Sequence, residues 1–151
     1  MEALTYVLYI GAKPEDVWRA LVSPEGTKAV FFGCVLNSTF QPGSPYQYVG
    51  PGNDGDETVH VYGTVLEYEP HRLMSYTEHP GPSYQERHAE LETRVTLTLE
   101  TVGACTKVTL VNDRWPEGHP SYERTKESWP IILSSLKSYV ETGRTLDFGW
   151  S

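Results

Sequence analysis

The stretch Tyr122-Glu123-Arg124-Thr125-Lys126-Glu127-Ser128-Trp129-Pro130-Ile131-Ile132-Leu133-Ser134-Ser135-Leu136-Lys137-Ser138-Tyr139-Val140 decides how the rest of the chain must be arranged. Tyr122, Thr125, Trp129, Ile132, Leu133, Leu136, Tyr139 and Val140 recur at three- and four-residue steps, which lines them up along one face of an α-helix. Glu123, Arg124, Glu127, Ser134, Ser138 and Glu141 fall on the other face. Gly143 follows as a residue able to take positive φ at a helix C-terminus. Pro130 removes one backbone donor and crowds the turn before it. The pattern therefore predicts a helix kinked at Pro130, or one that starts only at Ser128.

Upstream of this helix the chain reads as strands and turns. Leu4–Ile10 is rich in β-branched and aromatic residues and closes on Gly11. Pro14-Glu15-Asp16 opens a short helix, since proline suits its first position and acids suit the positive end of its dipole. Ser23-Pro24-Glu25 opens a second, running towards Val30-Phe31-Phe32. Strands are then predicted over 35–40, 46–49, 58–68 and 73–77, with Gly63 marking a bulge or a close approach. The polar stretch 78–90 reads as an exposed loop. Thr93–Leu99 and Lys107–Val111 alternate apolar with polar and form an antiparallel hairpin. The order is strand, two short helices, about six strands in meander order, one long helix. That order is an α+β fold in one domain spanning residues 1–151. Its antiparallel sheet must curl, and the long helix is the only large apolar element left to cover it. A curved sheet around one helix seldom closes completely, so a cavity is expected between them.

Composition limits the partners. The 151 residues carry 12 Lys+Arg against 20 Asp+Glu, a net charge of −8. That balance removes the positive footprint of a nucleic-acid-binding domain and disfavours anionic membranes. No apolar run is long enough to span a bilayer, and Met1-Glu2-Ala3-Leu4 has no basic, cleavable leader character. The expectation is a cytoplasmic protein, with Cys34 and Cys105 as free thiols.

Several segments together resemble bacterial proteins of the START-like (SRPBCC) superfamily, which have the helix-grip fold shared with the birch pollen allergen. They are Ala12-Lys13-Pro14-Glu15-Asp16-Val17-Trp18 with Leu21, Ser23-Pro24-Glu25-Gly26, and Tyr62-Gly63-Thr64-Val65-Leu66-Glu67-Tyr68-Glu69-Pro70. Arg72-Leu73-Met74-Ser75-Tyr76-Thr77, Trp129-Pro130, Leu136-Lys137 and Val140-Glu141-Thr142-Gly143-Arg144 complete the set. Within the superfamily the chain is most similar to the branch named after the activator of the 90-kDa heat-shock protein ATPase. Branch members often carry a tryptophan-containing segment after the second helix, where this chain has Phe31-Phe32-Gly33. The resemblance implies carriers of small hydrophobic molecules, stress-related chaperone partners, or polyketide cyclases and aromatases.

The residues themselves show no P-loop, GxGxxG, GxSxG, HExxH or CxxC pattern. His79 and His88 share a charged loop with Glu78, Glu86 and Glu90, and Asn53-Asp54-Gly55-Asp56-Glu57 has some calcium-loop character without its ligand spacing. Solvated charge and a hairpin tip account for both, so neither metal nor cofactor is expected. Aromatic residues say more. Phe31, Phe32, Tyr46, Tyr48, Tyr62, Tyr76, Trp115, Trp129 and Leu133 are the candidate lining of a ligand cavity, with core packing as the alternative for each. His60, Glu78 and Asp113 would be the groups for proton transfer if the cavity catalyses, but no catalytic set is expected. The expected partner is a small hydrophobic or amphipathic molecule, with a chaperone as the alternative, in a monomer or homodimer.

Overall fold

A computed structural model describes residues 1–52 and 55–149. The Asn53-Asp54 half of the calcium-like loop lies outside the described residues. The element order is β1 (Leu4–Ile10), α1 (Pro14–Val22), α2 (Pro24–Val30), β2 (Val35–Ser38), β3 (Pro45–Pro51) and β4 (Glu57–Glu69). There follow β5 (Leu73–Pro80), a single 3-10 turn (His88–Glu90), β6 (Thr93–Val102), β7 (Cys105–Asp113) and α3 (Tyr122–Thr142). Seven strands form one antiparallel sheet in the order β1-β7-β6-β5-β4-β3-β2. The sheet curves around α3 with α1 and α2 bridging its ends, which is the helix-grip arrangement.

Local chemistry explains the helical corner. Pro14 starts α1, and the Ser23 hydroxyl accepts the Gly26 N–H at 3.0 Å to cap α2. A Cβ on Gly26 would lie 2.5 Å from the Ala20 backbone, so only glycine lets the two helices touch. Phe32 and Gly33 then take positive φ (50° and 84°) and turn the chain into β2.

Helix α3 runs unbroken through Pro130 from Tyr122, so the later start at Ser128 is not taken. Pro130 cannot donate to the Lys126 carbonyl four residues back. The Tyr6 hydroxyl of β1 donates to that carbonyl instead, at 2.8 Å. Gly143 closes the helix with φ of 80° and its N–H on the Tyr139 carbonyl at 2.8 Å.

Strands β3, β4, β6 and β7 run longer than the sequence expectation, and two further boundaries bear on the site. β2 stops at Ser38, and β5 continues to Pro80, taking Glu78 out of the predicted loop. The extension is held by pairing, with Glu78 opposite Thr93 on β6 and Tyr62 opposite His79 on β4. Gly63 is the predicted close approach: a Cβ there would sit 2.0 Å from the Thr77 carbonyl oxygen. The sheet's register steps lie to either side of it, past His60 and past Leu66.

Candidate functional site

The interior between sheet and α3 has a packed half and a hollow half. In the packed half Trp18 donates its indole N–H to the Tyr68 hydroxyl at 3.2 Å, and Phe40 stacks on Tyr68 at 5.1 Å. Leu36, Val65 and Met74 fill the space between, and only about 10 Å³ stays empty. The hollow half is a chamber of about 230 Å³ walled by Phe31, Tyr48, Tyr76, Trp129 and Ile132, with Phe32 and Cys34 at its edge. A wider mouth of about 420 Å³ continues outward past His60, Val61, Glu78, Thr125 and Ser128, which border both spaces.

Backbone geometry produces this opening. On β5 the pleat sends Tyr76 and Glu78 to one face, and on β3 it sends Tyr46 and Tyr48 to the same interior. The β3–β4 register steps past His60, since Tyr48 pairs with Val61 and Val49 with Val59. A bulge there lets the consecutive residues His60 and Val61 both border the chamber. On the side of α3 the two residues that border both spaces are Thr125 and Ser128, whose side chains are short. Further along α3, Trp129 is 4% exposed and its indole N–H donates to the Asn112 side-chain oxygen at 3.1 Å. Asn112 is wholly buried and donates in turn to Thr93 Oγ1 and the Arg94 carbonyl. This network fixes Trp129 as a wall facing inward.

One polar group in the chamber stands apart. Among the described residues the Glu78 carboxyl has neither a hydrogen bond nor an ion pair, and burial raises its pKa to about 7. Close by, the Tyr76 hydroxyl is buried with only the Tyr48 hydroxyl beside it and makes no hydrogen bond of good geometry, whereas the Tyr46 hydroxyl donates to the Thr77 carbonyl at 2.6 Å. Burial, followed by the nearby Glu78 charge, raises Tyr46 and Tyr48 as well, so these phenols stay neutral.

The other candidates from the sequence are distributed unevenly. Phe31, Phe32, Tyr48, Tyr76 and Trp129 meet at the chamber, and Trp115 borders the mouth. Tyr46 lies one layer deeper, edge-on to the rings of Tyr48 and Tyr76 at 5.9 and 4.9 Å. Tyr62 faces away from the chamber: its ring stacks on His79 at 4.8 Å and its hydroxyl meets His88 Nδ1. Leu133 is buried but borders a separate groove between β1 and α3. Of the proton-transfer candidates, Asp113 is occupied by Arg94, which donates to both its oxygens at 2.9 and 2.6 Å. That pairing lowers the Asp113 pKa. His60 has both ring nitrogens engaged, by the Pro51 carbonyl at 3.1 Å and the Tyr84 hydroxyl at 2.6 Å. Only Glu78 borders the chamber uncommitted.

His79 and His88 do not converge as metal ligands. His79 bonds the His88 carbonyl at 2.8 Å and Glu92 at 3.0 Å, which fastens the loop at the mouth. Among the described residues no three His, Cys, Asp or Glu side chains are placed to hold a metal ion. Cys34 and Cys105 are free thiols, and no helix among the described residues is long and apolar enough to cross a membrane. Composition and periodicity did not single out Ile132, Thr125 or Ser128 as lining. The first two lie on the helical stripe either side of Trp129, and that spacing was the available signal.

No curated protein matches the chain. Among solved structures, a Cytophaga hutchinsonii protein is similar, with 25% identity and a TM-score of 0.75 over 95% of this chain and 96% of that one. The Aha1 dimer from Colwellia psychrerythraea is similar at 22% identity and a TM-score of 0.69, over 95% and 98% of the two chains. DynU16, a protein of the dynemicin biosynthetic locus, gives 19% identity and a TM-score of 0.70, over 96% of this chain and 49% of that one. These likenesses establish the fold. The family described as "Activator of Hsp90 ATPase homolog 1-like protein" matches residues 11–141, from just after β1 to the last turn of α3. By that match the chain belongs to the activator of Hsp90 ATPase homolog 1-like family.

Proposed function

We propose that the chain binds a small apolar or amphipathic molecule in the chamber between the sheet and α3. The supporting observation is the hollow itself, aromatic-walled and opening to solvent through a polar mouth. A pocket with mostly apolar walls and a few polar groups suits a ligand that is buried over most of its surface and oriented at one end. A volume of about 230 Å³ exceeds the roughly 150 Å³ that accommodates benzene, so ligands of one or two rings fit the inner chamber. Titration with neutral aromatic probes, followed by tryptophan emission and melting temperature, tests the proposal. Binding is expected to disappear in Thr125→Phe, which blocks the neck while α3 stays folded. Equal binding by that variant, or no response to any probe, would count against the chamber as the site.

Two further readings have specific support. A carboxyl that titrates near neutrality can transfer protons, so a bound substrate could be turned over by Glu78. Glu78→Gln would then bind substrate yet lose turnover. The family's name supports a chaperone partner, and the Colwellia relative's dimer supports assembly of this chain as a homodimer. An ATPase assay of the chaperone with and without this chain, together with sedimentation of the chain alone, decides each.

A further inference from the structure

We propose that the ligand is a cation, a small apolar amine or quaternary ammonium, whose charge pairs with the Glu78 carboxylate inside the aromatic walls of Phe31, Tyr48, Tyr76 and Trp129. This inference rests on the chamber being a binding site at all, and it adds the charge of what binds there.

The chamber's chemistry is one-sided. Its one carboxylic acid has no hydrogen bond or ion pair among the described residues, and the inner chamber is lined by neither lysine nor arginine, Arg124 standing only at the mouth. A half-buried carboxylate without a counter-charge is unfavourable, and a cation entering the chamber supplies that partner. Aromatic walls act in the same direction, because ring faces are negative and attract ammonium groups once water is excluded. An anionic ligand meets both features as repulsion. The net charge of −8 favours the approach of a cation over that of an anion.

The groups that face Glu78 from each element bear on the pH dependence. Tyr46 and Tyr48 on β3, Tyr76 on β5 and Cys34 all have pKa values raised by burial and remain neutral between pH 6 and 8. His60 on β4 has both nitrogens hydrogen-bonded. His119 and Arg124 line only the mouth, where Arg124 is exposed on α3 and His119 is lowered by burial. Glu78 is the chamber carboxyl whose charge changes in this window. With its pKa at about 7, the ionised fraction rises about tenfold from pH 6 to pH 8. Affinity for a permanent cation follows that fraction.

Phenyltrimethylammonium and its neutral isostere tert-butylbenzene separate charge from shape. The full chain is expected to bind phenyltrimethylammonium about tenfold more tightly at pH 8 than at pH 6, by calorimetry. At pH 8 the cation is expected to bind more tightly than the isostere, whose affinity stays flat with pH. Glu78→Gln should remove both the preference for the cation over tert-butylbenzene and the pH dependence. If the isostere binds as tightly as the cation, or if the pH profile survives in Glu78→Gln, the cation assignment is overturned and the pocket reading stands. If neither probe binds, both fall.

Discussion

The two halves of the interior use the same sheet and much the same residue types, yet the one closed by Trp18 of α1 is solid and the one faced by α3 is not. In the packed half, Trp18, Phe40 and Tyr68 interlock and the polar atom of Trp18 is satisfied within the cluster. In the hollow half, the rings of Tyr48 and Tyr76 line the sheet side, and α3 adds Trp129 and Ile132 at one end but only the short Thr125 and Ser128 towards the mouth. Side-chain length across a curved sheet thus determines whether the space closes, more than hydrophobicity does. A sealed, dry void of about 230 Å³ would cost on the order of 5 kcal/mol. The open mouth lets water enter and lowers that cost. Solid packing supplies stability at one end, and the other end holds the uncommitted polar groups.

The sharpest way to break this contrast is to hollow the packed end. Trp18→Ala is expected to cost about 3–5 kcal/mol, because Trp18 is 3% exposed and holds the Tyr68 hydroxyl. At about 2–4 °C per kcal/mol for a chain of this size, its melting temperature should fall by about 6 °C or more. Probe binding by the folded fraction should be unchanged, since Trp18 does not border the chamber. A loss of under 1 kcal/mol would show that both ends are loosely packed.

The next effect in size comes from Glu78. Its pKa is raised from an ordinary 4.5 to about 7 by burial, so the folded chain holds this proton more firmly than the unfolded chain does. Stability therefore falls as pH rises from about 4.5 to about 7 and levels off above, by on the order of 3 kcal/mol. Glu78→Gln should match the parent near pH 4.5 and exceed its stability by about 2–3 kcal/mol at pH 8, read from denaturant midpoints at the two values. Asp113, Glu69 and Glu141 are lowered by basic partners and, for Glu141, also by the Gly11 N–H. Their contributions are lost below pH 4.5, with the opposite sign, and cancel in the comparison of variant and parent. An equal stability difference at both pH values would mean that Glu78 is well solvated.

The difference between the halves also marks how far the sequence could be read. Periodicity carried the helix from Tyr122 to Val140, and alternation carried the β6–β7 hairpin, because burial on one face leaves that imprint directly. Element order then gave the sheet around the helix and the expectation of a gap. Phe31, Tyr48, Tyr76 and Trp129 could be proposed as lining from aromatic enrichment and element order, although the direction of Tyr76 could not be read from its strand. Tyr62 and Leu133 show the limit. Strand 58–68 has apolar residues at both parities, and the register step past His60 shifts which residues face in, a feature of pairing that no single strand encodes. Glu78 was placed in a loop because its neighbours are polar. It sits in a strand because β4 and β6 pair with the segment from either side.

The smallest effect discriminates most finely, because it compares two tyrosines in contact. Tyr46 and Tyr76 pack edge to face at 4.9 Å and are each 3% exposed. Tyr46 donates to the Thr77 carbonyl at 2.6 Å, while the Tyr76 hydroxyl has only a poorly formed contact with the Tyr48 hydroxyl. Removing a made hydrogen bond costs about 1 kcal/mol, whereas removing a buried hydroxyl that makes none relieves a desolvation penalty of similar size. Tyr46→Phe is therefore expected to lower the melting temperature by about 2–4 °C, and Tyr76→Phe to raise it by up to about the same amount. Opposite signs from one oxygen atom on adjacent rings would locate the boundary between the halves at this contact, with satisfied polar groups on one side and an unmatched one on the other. Two losses of equal size would mean that the contact between the Tyr76 and Tyr48 hydroxyls is a full hydrogen bond, leaving Glu78 as the uncommitted group of the hollow half.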